Sequence, residues 1–172
     1  MLLQLSIAIF VGSAQSSAPA APPTPAQLAF GHLNRLTGTW SATSTKGWTE
    51  QVTFKTIAAE SAVVETSLNA HPNETMTTVF HMDGTRLLLT HYCVAMSQPR
   101  LMATSFADGG RTVTFTFLDA TNLPTHDHGH MDKVVYRFID DDHMTSQWTW
   151  FAQGKEQWME EVTATRARDA KR

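Results

Sequence analysis

From Gly38 onward the chain is cut into short runs in which apolar and polar residues alternate, each run closed by a turn signal. Val113, Phe115 and Phe117, for example, alternate with Thr112, Thr114 and Thr116. A period of two marks a strand with one buried face, a pattern that a helix cannot satisfy. Runs of this kind predict strands over 38–45, 48–56, 61–69, 75–82, 86–93, 100–106, 111–118, 133–139, 143–151 and 156–165. Asp83-Gly84 reads as a two-residue hairpin loop whose central residues take positive φ. Gly109-Gly110 and Gln153-Gly154 supply two more turns. About ten short strands with short connections favour a sandwich or barrel over a parallel sheet. Full closure also leaves no edge strand to aggregate. The expected fold is therefore all-β, an antiparallel up-and-down barrel of about ten strands with a short N-terminal helix.

The helix is expected over 26–36, where Leu28, Leu33 and Leu36, with Phe30 nearby, fall at roughly helical spacing. Thr24 suits the cap and Pro25 the first helical position, and the helix could plug one end of the barrel. Before it, residues 15–25 are small, polar and proline-rich, the composition of a linker. Residues 1–14 read as a signal peptide: Leu2 to Val11 is a short apolar run, and Gly12-Ser13-Ala14 offers small residues for cleavage. The run is too short to span a bilayer, no Lys or Arg precedes it, and no cysteine follows it to carry a lipid. The expectation is an exported protein, periplasmic or secreted, without a stable membrane anchor. Its parts are a barrel domain over 26–168 and a C-terminal tail over 169–172.

A net charge of −3 with no basic run argues against nucleic-acid binding, which needs clustered Lys and Arg. The single cysteine, Cys93, excludes an intrachain disulfide and reads as an inert thiol rather than a nucleophile. It sits in L-L-L-T-H-Y-C-V-A-M-S-Q-P-R, residues 87–100, where an apolar strand meets titratable groups. With Asp83-Gly84 as the loop, Phe80 faces Leu87, Thr78 faces Leu89 and Met76 faces His91. The more apolar face, assigned to the interior, then carries His91 and Cys93. His91 could anchor a ligand, act as a base or serve as an axial ligand; the plainer alternative is a satisfied core histidine. Tyr92 is a second polar candidate. Pro99 should break the ladder, and Arg100 beyond it could hold a carboxylate at the barrel mouth or simply be solvated.

His126, His128 and His130 lie in T-H-D-H-G-H-M-D. Alternate histidines can converge on a metal with Asp127 or Asp132. The segment also reads as a polar loop loosened by Gly129, and on that ground no metal and no cofactor is expected. Trp148 and Trp150 share one face of their strand, with Trp158 on the next, and suit a core or an apolar pocket wall. Asp140-Asp141-Asp142 reads as a solvated turn, and Asn73-Glu74-Thr75 matches a glycosylation sequon. Of Glu156, Glu160 and Glu161, at least two should face water. Neither a catalytic triad nor a phosphate loop or dinucleotide fingerprint can be assembled.

A short helix leading into Leu36-Thr37-Gly38-Thr39-Trp40, followed by an up-and-down series of strands, resembles the calycin group, the lipocalins and their relatives. The resemblance implies that the G-x-W tryptophan, Trp40 with Gly38 before it, closes one end of the barrel. It also implies that a basic residue after the last strand, here Arg166, packs across that ring. The segments T-H-Y-C-x-x-x-x-Q-P-R, D-A-T-N, H-M and W-T-W-x-x-x-G-K are similar to those of a group of uncharacterised exported bacterial proteins with lipocalin-like barrels.

The functional expectation is an exported barrel that holds a small, partly apolar ligand in its lumen, favoured over an enzyme. His91, Tyr92, Arg100 and His130 are the candidate polar groups, and Trp148 and Trp150 the apolar wall. One alternative is a hydrolase, isomerase or decarboxylase with His91 as base and Arg100 orienting a carboxylate. Another is a filled barrel serving as an envelope or interaction module. Oligomeric state is not legible.

Overall fold

A computed structural model describes residues 21–70 and 73–168, apart from the side chains of residues 158 and 159. The expected signal peptide, the start of the linker, the Trp158 side chain and the tail over 169–172 lie outside the described residues. Among those described, no helix is long and apolar enough to cross a membrane.

The chain opens with helix α1, Pro25–Arg35. Its start follows from three residues. The Thr24 hydroxyl accepts from the Gln27 backbone N–H, the Gln27 side chain accepts in return from the Thr24 N–H, and Pro25 occupies a position that needs no donor. Ala26, Ala29 and Leu33 are the buried face. Leu28, one of the residues at helical spacing, is exposed, while Leu33 and Leu36 are buried.

Ten strands follow: β1 Gly38–Ser44, β2 Thr49–Ile57, β3 Ala62–Ala70, β4 Glu74–Asp83, β5 Arg86–Tyr92, β6 Gln98–Ala107, β7 Thr112–Thr121, β8 His130–Phe138, β9 His143–Ala152 and β10 Lys155–Arg166. Each pairs antiparallel with its chain neighbours, and β1 pairs with β10, so the sheet is a closed up-and-down barrel. The expected architecture is the observed one.

Two local readings need correction. Asp83 pairs with Arg86, so the hairpin loop is Gly84-Thr85 rather than Asp83-Gly84, with φ of +59° at Gly84. Phe80 then faces Leu89, and Thr78 faces His91. Each partner moves by two residues, which preserves the period of two, so the expected interior face survives the wrong register. Pro99 does not break its strand either. It lies inside β6 and pairs with β7 through Ala120, whereas the β5 ladder ends at Thr90–Arg100, just before it. The missing N–H is thus placed where no partner requires it.

One half of the lumen is solid. Trp40, Phe80, Leu87, Leu89, Leu101, Val113, Phe115, Val134 and Tyr136 are fully buried. Phe80, Phe115 and Tyr136 meet edge to face at 5.5–6.2 Å. Helix α1 packs at this end, against the Asp108–Gly110 turn and against β4, β5 and β6. Gly110 allows the approach, since a Cβ there would lie 2.7 Å from the Ala29 backbone nitrogen. Next to it, Trp40 donates from Nε1 to the Leu36 carbonyl at 2.8 Å. The Arg166 guanidinium lies 4.3 Å above the Trp40 ring and donates to the carbonyls of Arg35, Thr37 and Asp141. A Cβ on Gly38 would come within 3.0 Å of that guanidinium.

Trp40→Ala is expected to cost roughly 3–5 kcal/mol, because it leaves a cavity and removes the surface under Arg166. Arg166→Met keeps an apolar stem over the ring but orphans three carbonyls, and should cost about 1–3 kcal/mol. Denaturant melts of the two variants measure both; an unchanged midpoint for Trp40→Ala would show that this end is not held by the tryptophan.

Candidate functional site

The other half of the barrel is polar. Alternation on each strand carries Glu50, Glu65, Ser67, Met76, Thr78, His91, Ser146, Trp148 and Glu160 to the lumen, where they line a cavity of about 50 Å³. Met131, Met144, Val52, Phe54 and Val162 form its apolar floor and sides. It lies away from the helix-capped end, toward the end bearing the β1–β2, β3–β4, β5–β6, β7–β8 and β9–β10 connections.

His91 is the polar centre. Its ring is 5% exposed, with Nδ1 2.9 Å from the Thr78 hydroxyl across the β4–β5 pair and Trp148 packed at 4.9 Å. Among the described residues its Nε2 has no hydrogen-bond partner. An unsatisfied buried imidazole nitrogen costs about 1–3 kcal/mol unless something reaches it. Burial lowers the His91 pKa to about 4, so the ring is neutral at ordinary pH.

Opposite stand carboxyls that the sequence reading did not single out for this role. Glu65 is fully enclosed, and its Oε2 accepts from the Tyr136 hydroxyl at 2.6 Å. Burial raises its pKa to about 7, partly opposed by that hydrogen bond. Glu50 is also raised to about 7, by burial first and then by the neighbouring Glu160 charge. Glu160 accepts from the Ser44 hydroxyl at 2.6 Å. The signal was present in the alternation: Glu65 shares a face with Val63, and Glu50 with Val52 and Phe54. Glu156 and Glu161 of the same β10 ladder instead pair outside with Lys133 and Arg137.

The other sequence candidates separate. His91 and Trp148 line the cavity, while Trp150 packs half-buried against the core. Tyr92 is exposed on the outer face. Arg100 is also outside, paired with Asp119 through Nε at 2.6 Å and through its terminal nitrogen. It stands opposite Thr90, whose side chain points away from that of its neighbour His91. Arg100 and His91 therefore cannot meet at one substrate atom. Cys93, expected inside, lies just past β5 beside Glu74, Thr75 and Val94; burial raises its pKa, which disfavours the thiolate. His130 is fully buried, but not in the lumen: it groups with His126, Asp132, Phe117 and Phe151, while the His128 ring stays outside that group. Among the described residues lining the cavity there is no Lys or Arg.

No family model and no curated protein matches this chain. Among solved structures it is similar to Rv2717c from M. tuberculosis, at 15% identity and a TM-score of 0.57, over 81% of this chain and 98% of that one. It is also similar to a protein of unknown function of the DUF3598 family from Nostoc punctiforme PCC 73102, at 11% identity and a TM-score of 0.50. That second match covers 78% of this chain and 49% of the other. At these identities the likeness concerns the barrel alone.

The shifted groups fix a pH dependence. A raised carboxyl pKa means the folded state holds a proton that the unfolded state has released, so stability falls as pH rises from 4.5 to about 7. The lowered His91 works the other way, adding stability as pH rises from about 4 to 6.5. His32, lowered by burial and then by the Arg35 charge, acts in the same direction as His91, so the carboxyl contribution is read from the difference between wild type and a carboxyl variant. Glu65→Gln keeps the acceptor for Tyr136 and should remove on the order of 3 kcal/mol of that fall. Melting curves at stepped pH test it, and an identical slope in wild type and variant would refute the assignment.

Proposed function

We propose that the protein is an exported small-molecule-binding barrel whose lumen takes a small, partly apolar ligand bearing a hydrogen-bond-donating or cationic head, such as an alkylammonium group. The observation that carries this reading is the enclosed Nε2 of His91, without a hydrogen-bond partner among the described residues, in a cavity with Glu50, Glu65 and Glu160 around it; in the tautomer whose Nδ1–H donates to the Thr78 hydroxyl, Nε2 is a lone pair that takes a donor. Of the four buried side-chain polar atoms without a partner among the described residues, on Asn34, His91, Ser97 and Thr149, only that of His91 lines the cavity, where it suits a ligand atom. The lining is rich in acceptors and holds no cationic side chain, which disfavours the carboxylate ligand that Arg100 suggested. The cavity's size limits the guest. An apolar cavity that takes a benzene ring has about 150 Å³, about three times the volume here, so the head must be slim, with any bulk left at the open end. Met76, Met131 and Trp148 provide the surface for an aliphatic stem.

The enzyme alternative finds less support. A neutral His91 with a pKa near 4 is a poor base at ordinary pH, and Arg100 faces away from it. The filled-barrel alternative leaves the open nitrogen unexplained.

Titration of n-butylamine into the protein, followed by fluorescence of the lining tryptophans, should saturate, whereas n-butyrate should not. Binding should tighten as pH rises through about 7, because Glu50 and Glu65 become anionic while the guest stays cationic. His91→Phe and Glu50→Gln should each weaken it by about tenfold or more, the worth of a charge-assisted hydrogen bond. Equal binding of amine and carboxylate, or no loss in His91→Phe, would sink the proposal.

A further inference from the structure

We propose that His126, His130 and Asp132 form a binding site for a divalent transition-metal ion of the zinc type, beside the cavity wall and separate from the lumen ligand. Asp132 Oδ1 lies 3.4 Å from His126 Nε2 and 3.3 Å from His130 Nε2. The three donor atoms are all within 4.8 Å of one another. A tetrahedral ion with ligands at about 2.0–2.1 Å spaces its donors about 3.3 Å apart, so two of the three edges already have the right length.

The backbone explains why these side chains meet. The β8–β9 register slips between Met131 and Lys133, leaving Asp132 as the extra residue. The bulge turns Met131 to the lumen and lets His130 and Asp132 converge on the other side. The β7–β8 ladder stops at Thr116–Lys133, which opens the space that His130 fills. Gly129, read from sequence as a source of looseness, serves contact instead: a Cβ there would collide with the Trp150 ring. The loop is also tied down by bonds from the His128 N–H to the Thr125 carbonyl and from the Gln153 N–H to the Asp127 carbonyl.

Proton placement supplies the electrostatic argument. His130 Nδ1 is 2.7 Å from the His128 carbonyl oxygen, which can only accept, so Nδ1 carries the hydrogen. In the neutral ring Nε2 is then a lone pair aimed at a carboxylate oxygen. Two acceptors at 3.3 Å, one of them on a fully buried ring, call for a cation between them. A backbone carbonyl holding the remote imidazole N–H is the usual support of a metal-bound histidine. Phe117 and Phe151 flank both imidazoles at 4.7–5.8 Å and exclude water from their sides. His126 is half exposed, which gives the ion a way in and leaves room for a further ligand. The donor set of two imidazoles and one carboxylate suits zinc, copper, nickel or iron rather than calcium or magnesium. His128 contributes its carbonyl, not its ring.

The test uses the full chain, stripped with a chelator and titrated with zinc near neutral pH, where free imidazoles are neutral. Wild type should bind one equivalent and melt about 5–10 °C higher at a hundredfold excess over the dissociation constant. His128→Ala should keep the full shift, whereas His126→Ala and Asp132→Asn should each lose it while melting normally without metal. Both variants alter partly exposed side chains, so folding is not at stake. No shift in wild type would mean that a proton alone bridges the pair. Persistence of the shift in either His126→Ala or Asp132→Asn, or its loss in His128→Ala, would equally overturn the site.

Discussion

Barrel closure is the constraint from which the other features follow. Once β10 pairs with β1, with Arg166 opposite Trp40 and Val162 opposite Ser44, no strand has a free edge and every second side chain is committed to a common interior. That interior is then divided. At the helix end aromatic rings pack edge to face, and Arg166, which ends β10, lies over Trp40, its donors used on three carbonyls. At the other end the inward positions are acids, hydroxyls and one imidazole, and packing stops. The hydrogen bond from Tyr136 to Glu65 marks the boundary: the tyrosine ring belongs to the aromatic cluster and its hydroxyl to the polar half.

This division is why His91 is informative. In the filled half a neutral histidine would be packed and hydrogen-bonded at both nitrogens or replaced by an apolar residue. Here one nitrogen is held by Thr78 from the neighbouring strand and the other is open. The fixed nitrogen and the Trp148 ring restrict rotation of the imidazole, so the open position points in one direction. A group held still at the cost of an unsatisfied atom is the usual form of a preorganised contact.

Much of this was legible in the sequence because period two survives errors of register. The hairpin loop was placed one residue early, yet Phe80, Leu87, Leu89 and His91 still fell on the interior face, since ladder partners shift in steps of two. What was not legible depends on features that break the period. Strand ends hid the fate of Cys93, because beyond Tyr92 the alternation no longer applies. Arg100 was read for its type and its nearness to a proline, but its face is set by pairing with Thr90, which only the β5–β6 register reveals. The bulge at Asp132 had the largest effect. Without it, His130 and Asp132 are two polar residues of a strand start; with it, they share one point in space with a histidine from the preceding loop. Glu65 and Glu50 were open to deduction, since each sits on the apolar face of its strand, but a glutamate among valines is easily read as a surface residue.

The polar groups at the open end have one further property in common. Glu50, Glu65 and Glu160 in the lumen, and Asp132 with His130 Nε2 behind its wall, are acceptors, and the cationic side chains of the neighbouring strands are directed outward to Asp119, Glu156 and Glu161. Had the barrel needed only charge balance, an inward Lys or Arg would have supplied it at the cost of a filled space. Instead the two raised carboxyl pKa values show how the isolated fold manages: it keeps protons on its acids well above their ordinary range. A bound proton is the smallest cation available, and it is displaced by any larger one that offers more contacts. The lumen acids Glu50 and Glu65 therefore hold protons that a cationic guest would displace, so on the proposed reading binding in the lumen should release protons in the pH range where the empty protein holds them.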